Sequence, residues 1–225
     1  MDEQQKRLII RDAATVILLR TDTPEPSVLM GQRGAGAAFM PSKYVFPGGA
    51  VDAFDANVPF ARSLPEVQAD KLSVQASLSP NALAIAAVRE LWEETGLKLA
   101  ASFTGDFEGH PDWNGFFTDG QGPDASALKF IFRAITPTGR PRRFDARFFL
   151  ADASAVSGDL DDFTHACDEL SHLHWIALSE AKALDLPFIT EVVLSEVQAT
   201  LRTPQVERKV PFFQHDAERS YFNMI

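Results

Sequence analysis

The chain has 225 residues, of which 45% are hydrophobic and 23% charged, the balance of an ordinary globular protein with one large domain and a full core. Its net charge of -10 excludes a nucleic-acid partner gripped by a broad basic surface, because phosphate backbones reward Lys and Arg. A small anionic substrate stays open, since a local group of cations or a metal suffices for it. The one cysteine, Cys167, excludes a disulfide framework and fits a reducing compartment; with no activating neighbour in sequence it reads as inert.

Taken in chain order, the opening "MDEQQKRLII" lacks the apolar core of a signal peptide, and no apolar run approaches the roughly 20 residues that span a bilayer. No membrane partner and a cytoplasmic location are therefore expected. "AATVILLR" (13–20) reads as a buried strand, with "SVLMGQR" (27–33) as its hairpin neighbour. "KYVFPGGAVD" (43–52) is a strand broken by a Pro-Gly-Gly turn, and "PEVQADKLSVQ" offers a short helix. Ser79 as N-cap, Pro80 at the first helical position and Gly96 as left-handed C-cap predict a helix over 80–95.

The stretch 105–124, rich in Gly, Asp and Pro, predicts a long loop or two short helices. Strands are expected at 127–137, 143–152 and 169–178. A short helix at "SEAKAL" and a longer one over 189–201 come next, with "VPFFQ" docking on the body. His172 and His174 would share one strand face, and structural roles are expected for both and for His165. Strands succeeded by terminal helices suggest a mixed sheet between helices rather than regular βαβ alternation.

The helix carries the chemistry. In "AVRELWEETGL", Glu90, Glu93 and Glu94 stand at i, i+3 and i+4, one face where like charges repel. Ala84, Val88 and Leu91 form the opposite, apolar stripe. Two explanations remain at this point: solvent screens a plain acidic face, or a hard divalent cation binds there, with Arg89 steadying Glu93 one turn away.

Together with "FPGGAVD", the segment "RELWEETGL" resembles the Nudix box, G-x5-E-x7-R-E-U-x-E-E-x-G-U with U aliphatic. Gly49 matches the opening glycine. Asp55 stands where the first acid belongs, and 34 positions separate it from Arg89, roughly 26 more than the motif allows. An insertion at about 56–80 therefore splits the box. "FMPSKYVFPGGAVDAFD", "AVRELWEETGL" and "RRFDARFFL" look like the coenzyme A diphosphatase branch, which also splits its box; the terminal "NMI" is not a peroxisomal address.

The resemblance implies an α+β Nudix fold over 1–225, a mixed β-sheet sandwiched between α-helices, with the insertion and a helical tail from about 179. It implies metal-dependent hydrolysis of a nucleoside diphosphate linked to X, with Arg89, Glu90, Glu93 and Glu94 catalytic. Glu90, Glu93, Glu94 and Gly49 would form the Mg²⁺ or Mn²⁺ site. Coenzyme A or acyl-coenzyme A is the expected substrate; the alternatives are NADH or ADP-ribose, or a non-catalytic nucleotide sensor. Arg33, Lys43, Arg143 and Arg147, with Arg140 and Arg142, are candidate phosphate ligands. Among the acids of 159–169, Glu169 is the candidate base. A homodimer is possible on this reading, and the insertion would serve as a lid or a dimer contact.

Overall fold

The structure is a computed structural model and describes residues 9–203, 207–215 and 219–225. Strands β1 (Ile10–Arg20), β2 (Ser27–Arg33), β3 (Tyr44–Val45) and β4 (Gly48–Ala50) precede helices α1 (Glu66–Ser73) and α2 (Pro80–Thr95). Strands β5 (Lys98–Ser102), β6 (Gln121–Pro123), β7 (Lys129–Ile135), β8 (Arg143–Asp152), β9 (Val156–Ser157) and β10 (Leu170–Ala177) come after them. Helix α3 (Phe188–Arg202) and strands β11 (Pro211–His215) and β12 (Ser220–Met224) end the chain. The tail expected to be helical is thus helical only in part. Val210 is buried and β11 runs parallel to β7, so the docking of "VPFFQ" is realised as an added strand.

The main sheet has the order β10-β2-β1-β8-β7-β11-β12, with β3 on β2 and β4 on β1. It is mixed: β1 pairs parallel with β8 from Ile10–Arg143 to Leu19–Asp152, and antiparallel with β2 and β4. Central β1 is buried on both faces, which is why it reads as an unbroken apolar run rather than an alternation. Val16, Leu18, Leu29, Phe149 and Ala151 meet Leu83, Val88 and Leu91 of α2. Ile17, Leu19, Met30, Phe148 and Leu150 meet Val193, Leu194 and Val197 of α3. The result is the expected α+β sandwich.

Local chemistry sets the ends of α2. The Ser79 hydroxyl accepts from the Ala82 N–H at 3.2 Å, Pro80 occupies the first turn, and Gly96 closes the helix at φ 75° with its N–H on the Trp92 carbonyl. A side chain at Gly96 would also stand 3.0 Å from His165 Cβ.

The insertion is packed rather than free. Val58, Leu64 and Leu72 are buried in the core beneath α2. Ala61 N–H donates to the Pro123 carbonyl and Ala125 N–H to that of Arg62, tying the segment to β6 and to the residues just past its end. Arg133 of β7, 3% exposed, forks onto Asp145 at 2.8 and 2.6 Å and donates to the carbonyls of Val74 and Gln75. Apolar packing and hydrogen bonds thus tie the segment to the sheet and to helix α2. Leu72→Ala, which leaves a hole under α2, is expected to cost about 2–5 kcal/mol in urea unfolding. A loss below about half a kcal/mol would show that the insertion contributes little to the fold.

Candidate active site

Arg89 is the hub of the site. Its Nε and one terminal nitrogen donate to the two oxygens of Asp55 at 2.8 and 3.0 Å, a bidentate fork. The other terminal nitrogen donates to Glu90 at 2.8 Å and to Glu93 at 3.0 Å, the latter being the i,i+4 pair foreseen from sequence. A fifth bond reaches the Ala50 carbonyl at 3.0 Å. Asp55 is 1% exposed and sits in a short 3₁₀ turn, Ala53–Asn57, whose capping box joins its carboxylate to the Asp52 N–H at 2.7 Å. Asp55 and Arg89, 34 positions apart in sequence, are thereby brought together in space.

The Pro-Gly-Gly turn completes it. Gly48 N–H donates to Glu94 at 2.7 Å. Strand β4 lays Gly49 so close to the helix that a Cβ there would fall 2.6 Å from Glu90 Cδ, so any side chain would displace the Glu90 carboxylate. Glu94 is 1% exposed, and its Oε1 is buried without a hydrogen-bond partner.

Burial dominates the electrostatics. It pushes the Glu90 carboxyl up to about 7, with Arg89 pulling the other way and Glu93 and Glu169 adding repulsion. Glu94 is raised well above the usual range, again by burial and then by Glu90, against the Gly48 N–H and Arg33. Glu93 is raised by burial, with Asp112 contributing a like charge. Burial works against the Arg89 charge, yet Asp55, Glu90 and Glu93 hold it above its ordinary value.

The donor set suits a hard divalent cation. It offers carboxylate oxygens only, one of them orphaned, in a place where the acids outnumber Arg33 and Arg89. Glu90 and Glu93 are turned onto Arg89, and among the described residues no three acid, histidine or cysteine side chains converge as a ready cluster. Binding a cation through all three glutamates therefore requires Glu90 and Glu93 to exchange Arg89 for the metal.

Two further expected residues lie beside this cluster. Arg33 donates to Glu169 at 2.8 Å, and the charge of each acts on Glu94. The Cys167 N–H donates to the Glu93 carbonyl at 2.8 Å, fixing the loop that carries Glu169, while His165 packs on Trp92. Other expected residues lie elsewhere. Arg147 is fully buried on β8, held by Asp12 and Asp145, so no substrate reaches it. Lys43 pairs with Asp185, and Arg143 Nε is bound to the Thr136 carbonyl at 3.0 Å. His172 (φ 52°) lies at a register shift of β10, so it and His174 do not share a regular strand face; His174 instead packs on Tyr44.

Sequence reading missed the Gly48 N–H, Asp112 and the rings of Phe54 and His110. Backbone donors leave no residue-type signal, and the other three stand in or against a loop without periodicity.

A carboxyl whose folded pKa is raised adds stability at low pH and loses it as pH climbs from the unfolded value to the folded one. In chelator, folding free energy is expected to fall between pH 4.5 and about 7 on account of Glu90. Glu90→Gln should flatten that fall in a pH series of denaturant titrations. An unchanged slope would show that Glu90 is ionised throughout.

No family model matches the chain. It is 29% identical over 193 residues to a Caenorhabditis elegans protein named "Putative nudix hydrolase 7", covering 76% of this chain and 52% of that protein, so it spans about half the length of the relative. A NUDIX hydrolase from Alicyclobacillus acidocaldarius superimposes with a TM-score of 0.65 at 26% identity, over 87% of this chain and 96% of that one. The NUDIX domain of Shewanella oneidensis NrtR, crystallised with ADP ribose, matches in fold at 11% identity and a TM-score of 0.51, over 86% and 89% of the two chains. With Asp55 and the acidic helix joined through Arg89, these likenesses show that the chain has the Nudix fold and is similar in sequence to Nudix hydrolases.

Proposed function

We propose that the chain hydrolyses the diphosphate bond of a nucleoside diphosphate derivative in a reaction dependent on Mg²⁺ or Mn²⁺. The observation that carries this reading is the Arg89 cluster, in which Asp55, Glu90 and Glu93 share one guanidinium beside the orphaned oxygen of Glu94. Glu90, Glu93 and Glu94 would hold the cation, with Gly49 leaving room for the Glu90 carboxylate. The cation supplies neutralisation of the diphosphate and a more acidic bound water. Arg89 orients the carboxylates and is itself fixed by Asp55. Glu169, 53% exposed and steered by Arg33, takes the proton from the attacking water. Arg33 Nε is buried without a partner and offers a donor to a phosphate oxygen.

Coenzyme A or acyl-coenzyme A, cleaved to 3′,5′-ADP and a 4′-phosphopantetheine product, is the substrate favoured by the split box and its flanking segments. A second reading, ADP-ribose or NADH, is supported by the position of Arg147, since burial removes one of the cations expected to meet a 3′-phosphate. Product chromatography across coenzyme A, acyl-coenzyme A, NADH and ADP-ribose with Mg²⁺ or Mn²⁺ separates them. Glu94→Gln is expected to lower turnover by about 10²–10³, and Glu169→Gln to lower it by about 10²–10⁴, the contribution of a positioned general base. Nucleotide binding without cleavage of any substrate would establish the sensor alternative instead.

A further inference from the structure

Resting on that reading, we propose that Phe54 and His110 form a stacking platform for the planar base of the substrate, and so help set its specificity. Phe54 precedes Asp55 in the 3₁₀ turn that meets Arg89, so its ring stands one residue from the hub. The His110 imidazole stacks on it with centroids 4.2 Å apart and planes at 20°. Phe107 meets Phe54 edge-on at 6.2 Å and stacks on Phe117 at 4.1 Å. Behind them Trp113 and Phe116 are buried, so half-buried rings rest on a rigid aromatic base.

The same loop brings Asp112 within electrostatic reach of Glu93, which puts its rings beside the carboxylates that would face the diphosphate. His110 keeps 29% of its side chain exposed, has Nδ1 3.3 Å from Asp112, and makes no other ring contact among the described residues. A solvent-facing ring on a buttressed stack, next to a phosphate-binding cluster, suits a heteroaromatic base covalently joined to that phosphate. Base–aromatic stacking is strong enough to matter and tolerant of base identity. An aliphatic or sugar group would gain little from a flat ring pair.

The test measures binding of AMP and of ribose 5-phosphate by calorimetry in chelator, on the full chain. Wild type is expected to bind AMP about tenfold more tightly than ribose 5-phosphate, in line with one stacked base. His110→Ala should weaken AMP by a similar factor and leave ribose 5-phosphate unchanged, and His110→Phe should restore the preference. A Phe54→Leu variant, which keeps the apolar packing, should behave like His110→Ala. Equal affinities in wild type, equal losses for both ligands, or no measurable AMP binding would overturn the platform. Glu94→Gln should keep the preference; preference without hydrolysis would refute the enzyme reading alone, and hydrolysis without preference the platform alone.

Discussion

The buried ion pair between Arg89 and Asp55 is the constraint on which the rest of the site depends. Arg89 is 5% exposed and Asp55 1%, so both have left water, at a cost recovered only by good geometry and full hydrogen bonding. They meet that demand: all three guanidinium nitrogens are used, and the capping turn adds a further N–H to Asp55. Once the pair is formed, Glu90 and Glu93 are set in place along α2, and the Gly48–Gly49 turn is held against the helix through Ala50 and Glu94. Electrostatic order at the site thus comes from one cation shared among several acids, and the surplus negative charge is what a divalent metal would answer.

The insertion does not disturb this arrangement because its two ends are brought together by the fold. Lengthening a loop between fixed ends costs little chain entropy, and here the added residues bury apolar side chains of their own. Arg133 is the second cation that organises the molecule. By donating to the carbonyls of Val74 and Gln75 while forking onto Asp145, it satisfies backbone groups of the inserted segment from inside the sheet, and its guanidinium also lies 4.3 Å over the Phe212 ring. Insertion, sheet and carboxy-terminal hairpin are joined at one residue.

Much of this was legible because it is local. The bounds of β2 and β8, the caps of α2 and the i,i+4 contact from Arg89 to Glu93 follow from periodicity, cap chemistry and helix geometry. Errors arose where sequence cannot tell exposure from burial on a strand. Arg147 alternates with Phe148 as a surface residue would, yet its face is the one covered by α2, where Asp12 and Asp145 neutralise it. His172 and His174 obey the two-residue period until the register shift in β10 breaks it. Asp55 appeared as a departure from the box, and its shorter side chain reaches Arg89 because the 3₁₀ turn carries the backbone inward.

By itself the sequence determined the acidic helix, its caps and the Pro-Gly-Gly turn, since each depends on residues close together in the chain. It also set the 34 positions between Asp55 and Arg89, because spacing is a property of the chain alone. Tertiary structure alone decided that Asp55 and Arg89 meet, that the insertion is a packed wall, that Arg33 and Glu169 stand beside the glutamates, and that Phe54 stacks on His110. Those contacts join residues far apart in sequence, and their energies depend on burial and distance, which come into existence only when the sheet is assembled.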